Sequence, residues 1–164
     1  MSETKTDEKR LYVEKIRNGT VIDHIKSGFA FSVMKILGLD GSSGHLITVG
    51  INVKSNSAAN GKKDIVKVEN VHLEQKQINQ IALLSPDCKV SFIEDYKVKE
   101  KFVVEVPPVF HGIIDCPNAR CISRQEREPI VAEFKILSKD PLKIACGYCG
   151  WILDRQEILK LVIK

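Results

Sequence analysis

Apolar and polar positions alternate most cleanly across residues 47–54, where Ile47, Val49, Ile51 and Val53 interleave with Thr48, Gly50, Asn52 and Lys54. A period of two predicts a strand with one buried face. A different period precedes it. Ala30, Val33, Met34 and Leu37 recur at i, i+3, i+4 and i+7, which predicts a helix that stops at Gly38. Tyr12, Val13 and Ile16 suggest a strand within 11–17, and Asn18 with Gly19 a turn before another at 21–25. Residues 65–69 read as a strand beyond the polar loop 55–61. Residues 73–84 read as a second helix with Ile78, Ile81 and Ala82 inward, ended by Ser85, Pro86 and Asp87. Residues 88–94 and 97–106 read as two strands joined by a tight turn at Asp95 and Tyr96.

The order is βαββαβ plus an extra strand, which predicts an α+β, ferredoxin-like split βαβ arrangement. Two helices then cover one face of an antiparallel sheet. The other face, or the sheet edges, is left for a ligand or partner. Pro107 and Pro108 mark a boundary, since a proline pair favours extended chain. The expected division is a flexible arm at 1–10, a first domain at 11–106 and a small β-rich domain at 107–164. In the latter, β-prone runs fall at 113–114, 130–136, 142–145 and 151–153, and 156–163 closes the chain as helix or strand. So small a domain has a thin core and needs other support.

That support is legible in the cysteines. Cys116 and Cys121 are followed, after 24 intervening residues, by Cys146 and Cys149. Two closely spaced pairs separated by about a hairpin's length form the pattern of a four-thiolate zinc site. Four thiolates close the coordination sphere, so one structural Zn²⁺ per chain is expected and no catalytic one. Iron takes the same ligands. Two disulfides would leave Cys88 unpaired, and Cys88 itself reads as a small core residue. A dithiol redox pair at Cys146 and Cys149 would open a helix, whereas Gly150, Trp151, Ile152 and Leu153 suit a strand. Arg120, Arg124 and Lys143 are suited to offset the thiolate charge.

Composition narrows the classes. The chain has 164 residues, 43% hydrophobic and 28% charged, as in a globular domain. No apolar run approaches the ~20 residues of a membrane span. The charged first ten residues are not a signal peptide, so a reducing, cytoplasmic setting is expected. The net charge of +4 falls short of a dedicated nucleic-acid binder. The rival of that class, a ferredoxin-like domain with a zinc ribbon, needs aromatics on its central strands, and 65–69 has none. His45, His72 and His111 are scattered with no nucleophile motif nearby, so no enzyme is expected.

Four motifs occur together and in order: Asn18-Gly19-Thr20-Val21-Ile22-Asp23-His24-Ile25; Gly61-Lys62-Lys63-Asp64-Ile65-Val66-Lys67-Val68-Glu69-Asn70; Cys116-Pro117-Asn118-Ala119-Arg120-Cys121-Ile122-Ser123; and Cys146-Gly147-Tyr148-Cys149. Across roughly 11–153 the chain resembles the regulatory chains of aspartate carbamoyltransferase. The resemblance implies a non-catalytic subunit with a nucleotide-binding domain and a zinc domain. It implies pairing as regulatory homodimers, three of which join two catalytic trimers into an assembly of six catalytic and six regulatory chains. CTP and ATP would be the effectors, controlling pyrimidine biosynthesis, with no nucleic acid and no membrane involved.

The resemblance also assigns residues. Val13, Glu14, Lys15 and Ile16 would enclose and hydrogen-bond the base, Lys15 through its backbone. Asp23 would accept from the ribose, and His24 would lie beside the phosphates. Lys67 would sit near ribose and base, Ile93, Tyr96 and Val98 in the last hairpin, and Lys101 on a phosphate. Ser91 would stand at the base side. Asn118 and Arg120 would touch the catalytic chain. By themselves, Lys67 and Lys101 read as solvated lysines, Asp23 and His24 as caps of the following helix, and Asn118 and Arg120 as caps of the metal loop.

Overall fold

The computed structural model describes residues 14–164. The elements run β1 (Gly19–Lys26), α1 (Ala30–Ile36), β2 (Ile47–Lys54), β3 (Lys62–Glu69), α2 (Gln75–Leu84), β4 (Lys89–Glu94) and β5 (Lys97–Val103). They continue with β6 (Val109–His111), a 3-10 turn (Ile122–Arg124), β7 (Glu133–Lys139), β8 (Leu142–Cys146), β9 (Ile152–Leu153) and α3 (Arg155–Val162). The first five strands form one sheet in the order β2-β3-β1-β4-β5, with every neighbouring pair antiparallel. This is the interleaved split βαβ order, extended by the β4–β5 hairpin. The last four form a second antiparallel sheet, β6-β7-β8-β9.

The alternation along the strands decides which face meets the helices. Ile22, Val66, Val68 and Val90 are buried on one face, with Ala30 and Val33 of α1 and Ile81, Ala82 and Leu84 of α2. Cys88 is in the same core. Burial pushes its thiol up to about 12, so it is an inert packing residue. Gly19 opens β1 where β3 comes closest: a Cβ there would lie 2.1 Å from the Val68 carbonyl oxygen. The Asp95–Tyr96 hairpin has φ of 47° and 63° at its two central residues, the geometry of a primed turn.

Several expected elements shift. Residues 14–18 form no strand; Tyr12 and Val13, with the arm at 1–10, lie outside the described residues. Ile16 is buried, but its neighbours bond elsewhere. Tyr96 N–H donates to the Arg17 carbonyl at 2.9 Å, and Asp95 N–H to Asn18 Oδ1 at 3.0 Å. The segment is thus pinned to the β4–β5 turn instead of to a ladder. The alternation of 47–54 breaks at a bulge, where the β2–β3 register slips between Gly50 and Val53 and turns Ile51 outward. Helix α2 starts at Gln75 because Gln77 Oε1 accepts the Glu74 N–H, 2.9 Å away, closing the first turn there. Ile113 and Ile114 are buried in a loop, not in a strand. The closing segment is a helix. Asp154 Oδ1 accepts the Glu157 N–H and Glu157 Oε2 accepts the Asp154 N–H, each at 2.9 Å.

Candidate functional sites

Strand phase assembles the first site. Across the five-stranded sheet, Thr48 pairs with Lys67, Lys67 with Val21, Val21 with Ser91 and Ser91 with Lys101. Laterally paired residues point to the same face, and this is the face away from α1 and α2. Lys67 and Lys101 are three strand spacings apart, about 14 Å. One residue pair further along, Ile93 pairs with Val98 and with Gly19. Asp23 lies at the other end of the row, opposite Lys89. Among the residues expected to bind nucleotide, Asp23, Lys67, Ser91, Ile93, Val98 and Lys101 therefore share one open sheet face, while Tyr96 lies in the β4–β5 turn and Glu14, Lys15 and Ile16 precede β1. Only Val13 is outside the described residues. The segment 14–18 reaches this face, where Lys67 Nζ donates to the Glu14 carbonyl at 2.8 Å.

Two lysines that sequence reasoning leaves out join them. Lys63 Nζ lies 2.8 Å from Asp23 Oδ1 and 3.0 Å from Oδ2, and Lys89 stands beside Asp23 in the register. Both were legible by phase: Lys63 is four residues before Lys67, and Lys89 two before Ser91, so each shares its partner's face. Asp23 and His24 do not cap α1. They form a bulge in β1, with His24 at φ 58° and its N–H donating to Asp23 Oδ1 at 2.7 Å. The helix entrance is held instead by Asp64, which accepts from the N–H groups of Gly28 and Ala30.

Charge is balanced unevenly here. Burial opposes ionisation of Asp23, but the Lys63 ammonium and the His24 N–H outweigh it and hold the carboxyl below its ordinary range. Burial keeps His24 below the ordinary imidazole value. Asp23 pulls it upward, while Lys63, Lys89 and Lys101 push it down. Burial likewise lowers Lys67, with Asp23 raising it and Lys15 lowering it. His24 Nε2 lies 3.0 Å from Ser57 Oγ. Beyond it opens a cavity of about 800 Å³ between the two sheets, lined by His24, Ser57 and Lys63 on one side and Lys139, Leu142 and Arg155 on the other. The face thus offers cations and carboxylates, groups that suit the phosphates and ribose of a nucleotide.

The second site is the cysteine cluster. The four sulfurs of Cys116, Cys121, Cys146 and Cys149 lie within 4.8 Å of one another. Cys116 and Cys149 sulfurs are 3.6 Å apart, and those of Cys121 and Cys146 are 3.7 Å apart. A tetrahedron with metal–sulfur bonds of about 2.3 Å has edges of about 3.8 Å, so the cluster fits a single ion. A disulfide requires about 2.05 Å, and all four cysteines are free. Burial pushes Cys116 and Cys146 up, with the neighbouring thiols adding to it. At Cys149 burial is outweighed, first by the Trp151 N–H and then by Asn118, and the thiol falls to about 7. Crowded sulfurs of this kind need a cation before all can be thiolates.

The local chain makes the cluster. Cys146 ends β8, and Gly150, at φ 73°, lets its N–H return to the Cys146 carbonyl at 3.0 Å. On the other side the Asn118 carbonyl accepts the Cys121 N–H, and Asn118 Oδ1 accepts the Arg120 N–H, both at 3.0 Å. Asn118 therefore shapes the metal loop, while the Arg120 side chain is exposed. Arg124 is turned to Asp115, at 3.5 Å.

Both halves of the chain match known sequences. The family model described as aspartate carbamoyltransferase regulatory chain, allosteric domain, matches residues 11–105, and that of the metal binding domain matches 108–159. The chain belongs to the aspartate carbamoyltransferase regulatory chain family. The regulatory chain of Ignicoccus hospitalis is 47% identical over 150 residues, covering 92% of this chain and 95% of its own. That of Staphylothermus marinus is 46% identical over 149 residues, covering 91% and 90%. That of Thermofilum pendens is 46% identical over 157 residues, covering 96% and 98%. The first site falls in the allosteric-domain match, and the four sulfurs fall in the metal-binding match. The relatives are named as regulatory and not catalytic chains, consistent with a non-catalytic subunit. No helix among the described residues is long and apolar enough to cross a membrane.

Proposed function

We propose that this regulatory chain binds CTP and ATP on the open face of its five-stranded sheet and passes their effect to the catalytic chains of aspartate carbamoyltransferase. The observation that carries this is the lateral row from Lys67 to Lys101, flanked by Asp23, His24 and the 14–18 segment. In it the base packs between Glu14, Lys15, Ile16 and the hairpin residues Ile93, Tyr96 and Val98, with Ser91 beneath. Asp23 accepts from the ribose, Lys67 stands by the sugar, and His24 and Lys101 meet the phosphates. The Cys₄ cluster holds one Zn²⁺ with no open position, so its chemistry is structural: it fixes the loop that carries Asn118 and Arg120 against the catalytic chain. Residues 11–106 and 107–164 act as separate domains. Two chains pair as a homodimer, supported by the outer edge of β2, which no strand among the described residues pairs and where Leu46 and Ile51 are exposed. Three dimers join two trimers, in the cytoplasm, in pyrimidine synthesis.

Calorimetric titration tests the site. Lys101→Ala is expected to weaken CTP binding by about 1–3 kcal/mol, the range of a charge-assisted hydrogen bond. Lys67→Ala is expected to weaken binding of cytidine as well as CTP, since it acts at the sugar. Unchanged affinities in both variants would sink the assignment.

The proton balance gives a separate check. His24 is held below its ordinary value of 6.5, so it is mostly neutral at pH 7. A bound triphosphate adds negative charge beside it and favours the imidazolium. Binding then takes up a proton, and CTP affinity is expected to rise as pH falls from 8 to 6. The His24→Gln variant retains only the slope due to the nucleotide's own phosphate. Equal slopes in the two proteins would remove His24 from the phosphate site.

A further inference from the structure

A buried carboxylate lies on the opposite side of the sheet from the proposed nucleotide. Asp64 stands in β3 between Lys63 and Ile65, and is wholly inaccessible on the helix-covered face. Its Oδ2 accepts the N–H groups of Gly28 at 2.8 Å and Ala30 at 3.0 Å, at the entrance of α1. Its Oδ1 accepts the N–H of Asn52 at 2.9 Å. Both strands that flank β3 are bulged at this level. The β1 register slips between Ile22 and Ile25, and that of β2 between Gly50 and Val53. Each bulge contains a non-glycine residue in the left-handed region, His24 at φ 58° and Asn52 at φ 57°. A hydrogen bond between the Ser27 and Asn52 side chains ties the two bulged segments again.

We propose that Asp64 is a positioning residue for the nucleotide site. Its three backbone hydrogen bonds lock the turn from β1 into α1 against the β2 bulge, and this fixes the β1 bulge that aims Asp23 and His24. Left-handed conformations at non-glycine residues persist only where the surroundings over-determine them. A carboxylate suits the task because all its capacity is for accepting, and bonds to an ionised acceptor are the stronger kind. An amide would turn an NH₂ group toward one set of N–H donors. Released from Asp64, the β1 turn loosens, and the pair Asp23–Lys63 loses its fixed height over the open face. This inference rests on the nucleotide reading given above.

The test is calorimetric titration of CTP into the full-length, metal-loaded chain, with Asp64→Asn compared at a temperature well below both unfolding midpoints. The variant is expected to bind CTP about tenfold more weakly or worse, with the circular dichroism and metal content of the unsubstituted protein. A purely structural aspartate would lower the unfolding midpoint and leave the affinity of the folded fraction unchanged; that result overturns the proposal. The unsubstituted protein supplies a second measurement should Asp64→Asn not fold. By reciprocity, CTP should slow hydrogen exchange at the amides of Gly28, Ala30 and Asn52, although these bond to Asp64 on the other side of the sheet. Unchanged exchange at these amides overturns the proposal, while CTP binding itself still stands. A chain that binds no CTP overturns the nucleotide reading and this inference with it.

Discussion

Stripping the metal with a chelator, or replacing Cys146 with serine, is expected to unfold the residues beyond Pro108 and abolish association with catalytic chains. The five-stranded sheet should stay folded and keep binding nucleotide. The second sheet is made of strands of 3, 7, 5 and 2 residues. Its apolar interior, around Phe110, Phe134, Ile144, Leu153 and Ile158, includes the sulfur-bearing residues Cys116, Cys121 and Cys146. Removing the ion leaves these cysteines in the core as crowded thiols. A domain of this size buries too little apolar surface to offset its chain entropy unaided. Structural zinc in small sites contributes on the order of 10 kcal/mol or more. The first sheet has its own interior beneath α1 and α2. It loses the cover that α3 gives to α2, where Arg155 Nη2 donates to the Leu84 carbonyl at 3.2 Å, and the part of the continuous core that the second sheet supplies, so a lowered midpoint is expected but not collapse. Sizing chromatography with catalytic chains, run beside nucleotide titration, reads both halves. Assembly that persists without metal would refute the structural role, and loss of nucleotide binding would refute the division at the prolines.

What the sequence discloses depends on how local the cause is. The cysteine cluster is legible because its ligands fall in two short spacings, and the sheet phase because Val66, Val68 and Lys67 alternate without interruption. Asp154 and Glu157 carry a capping-box spacing that would have decided the last segment as helix. The segment 11–17 is different: Ile16 is buried by folding against the hairpin turn, a contact 78 residues away for Arg17 and Asp95, and no local pattern reports it. Asp64 is harder still. In a strand whose inward positions are apolar it looks like a defect. Its partners are amides 12, 34 and 36 residues distant. The bulge at His24 is equally silent, since no glycine marks it, whereas the bulge at Asn52 is hinted at only by Gly50 inside the alternating pattern.

Nucleotide bound to the open face is expected to change the affinity of the catalytic chains for a substrate analogue, and the analogue must change nucleotide affinity by the same factor. Couplings of this kind usually amount to about 1–3 kcal/mol, roughly 5–150-fold. A ligand shifts a conformational equilibrium only by its differential affinity for the two states, and the expected difference between those states is a shift of the two sheets relative to each other. The cavity of about 800 Å³ between them, lined from both sides, is where such movement has room. His24 and Lys63 line it from the five-stranded sheet, and Lys139 and Arg155 from the second domain. The packed route beside it runs through α2 and α3, with Arg155 holding the carbonyl end of α2. Arg155→Ala is therefore the variant that should lower the factor while leaving nucleotide affinity in the isolated chain unchanged. Measuring the analogue with and without CTP, and CTP with and without the analogue, on the reconstituted complex gives the factor twice. Agreement between the two directions, with a reduced value in Arg155→Ala, is the expected result. A nucleotide that binds but leaves activity and analogue affinity untouched would make this chain a scaffold, and an undiminished factor in Arg155→Ala would place the route outside the α2–α3 contact.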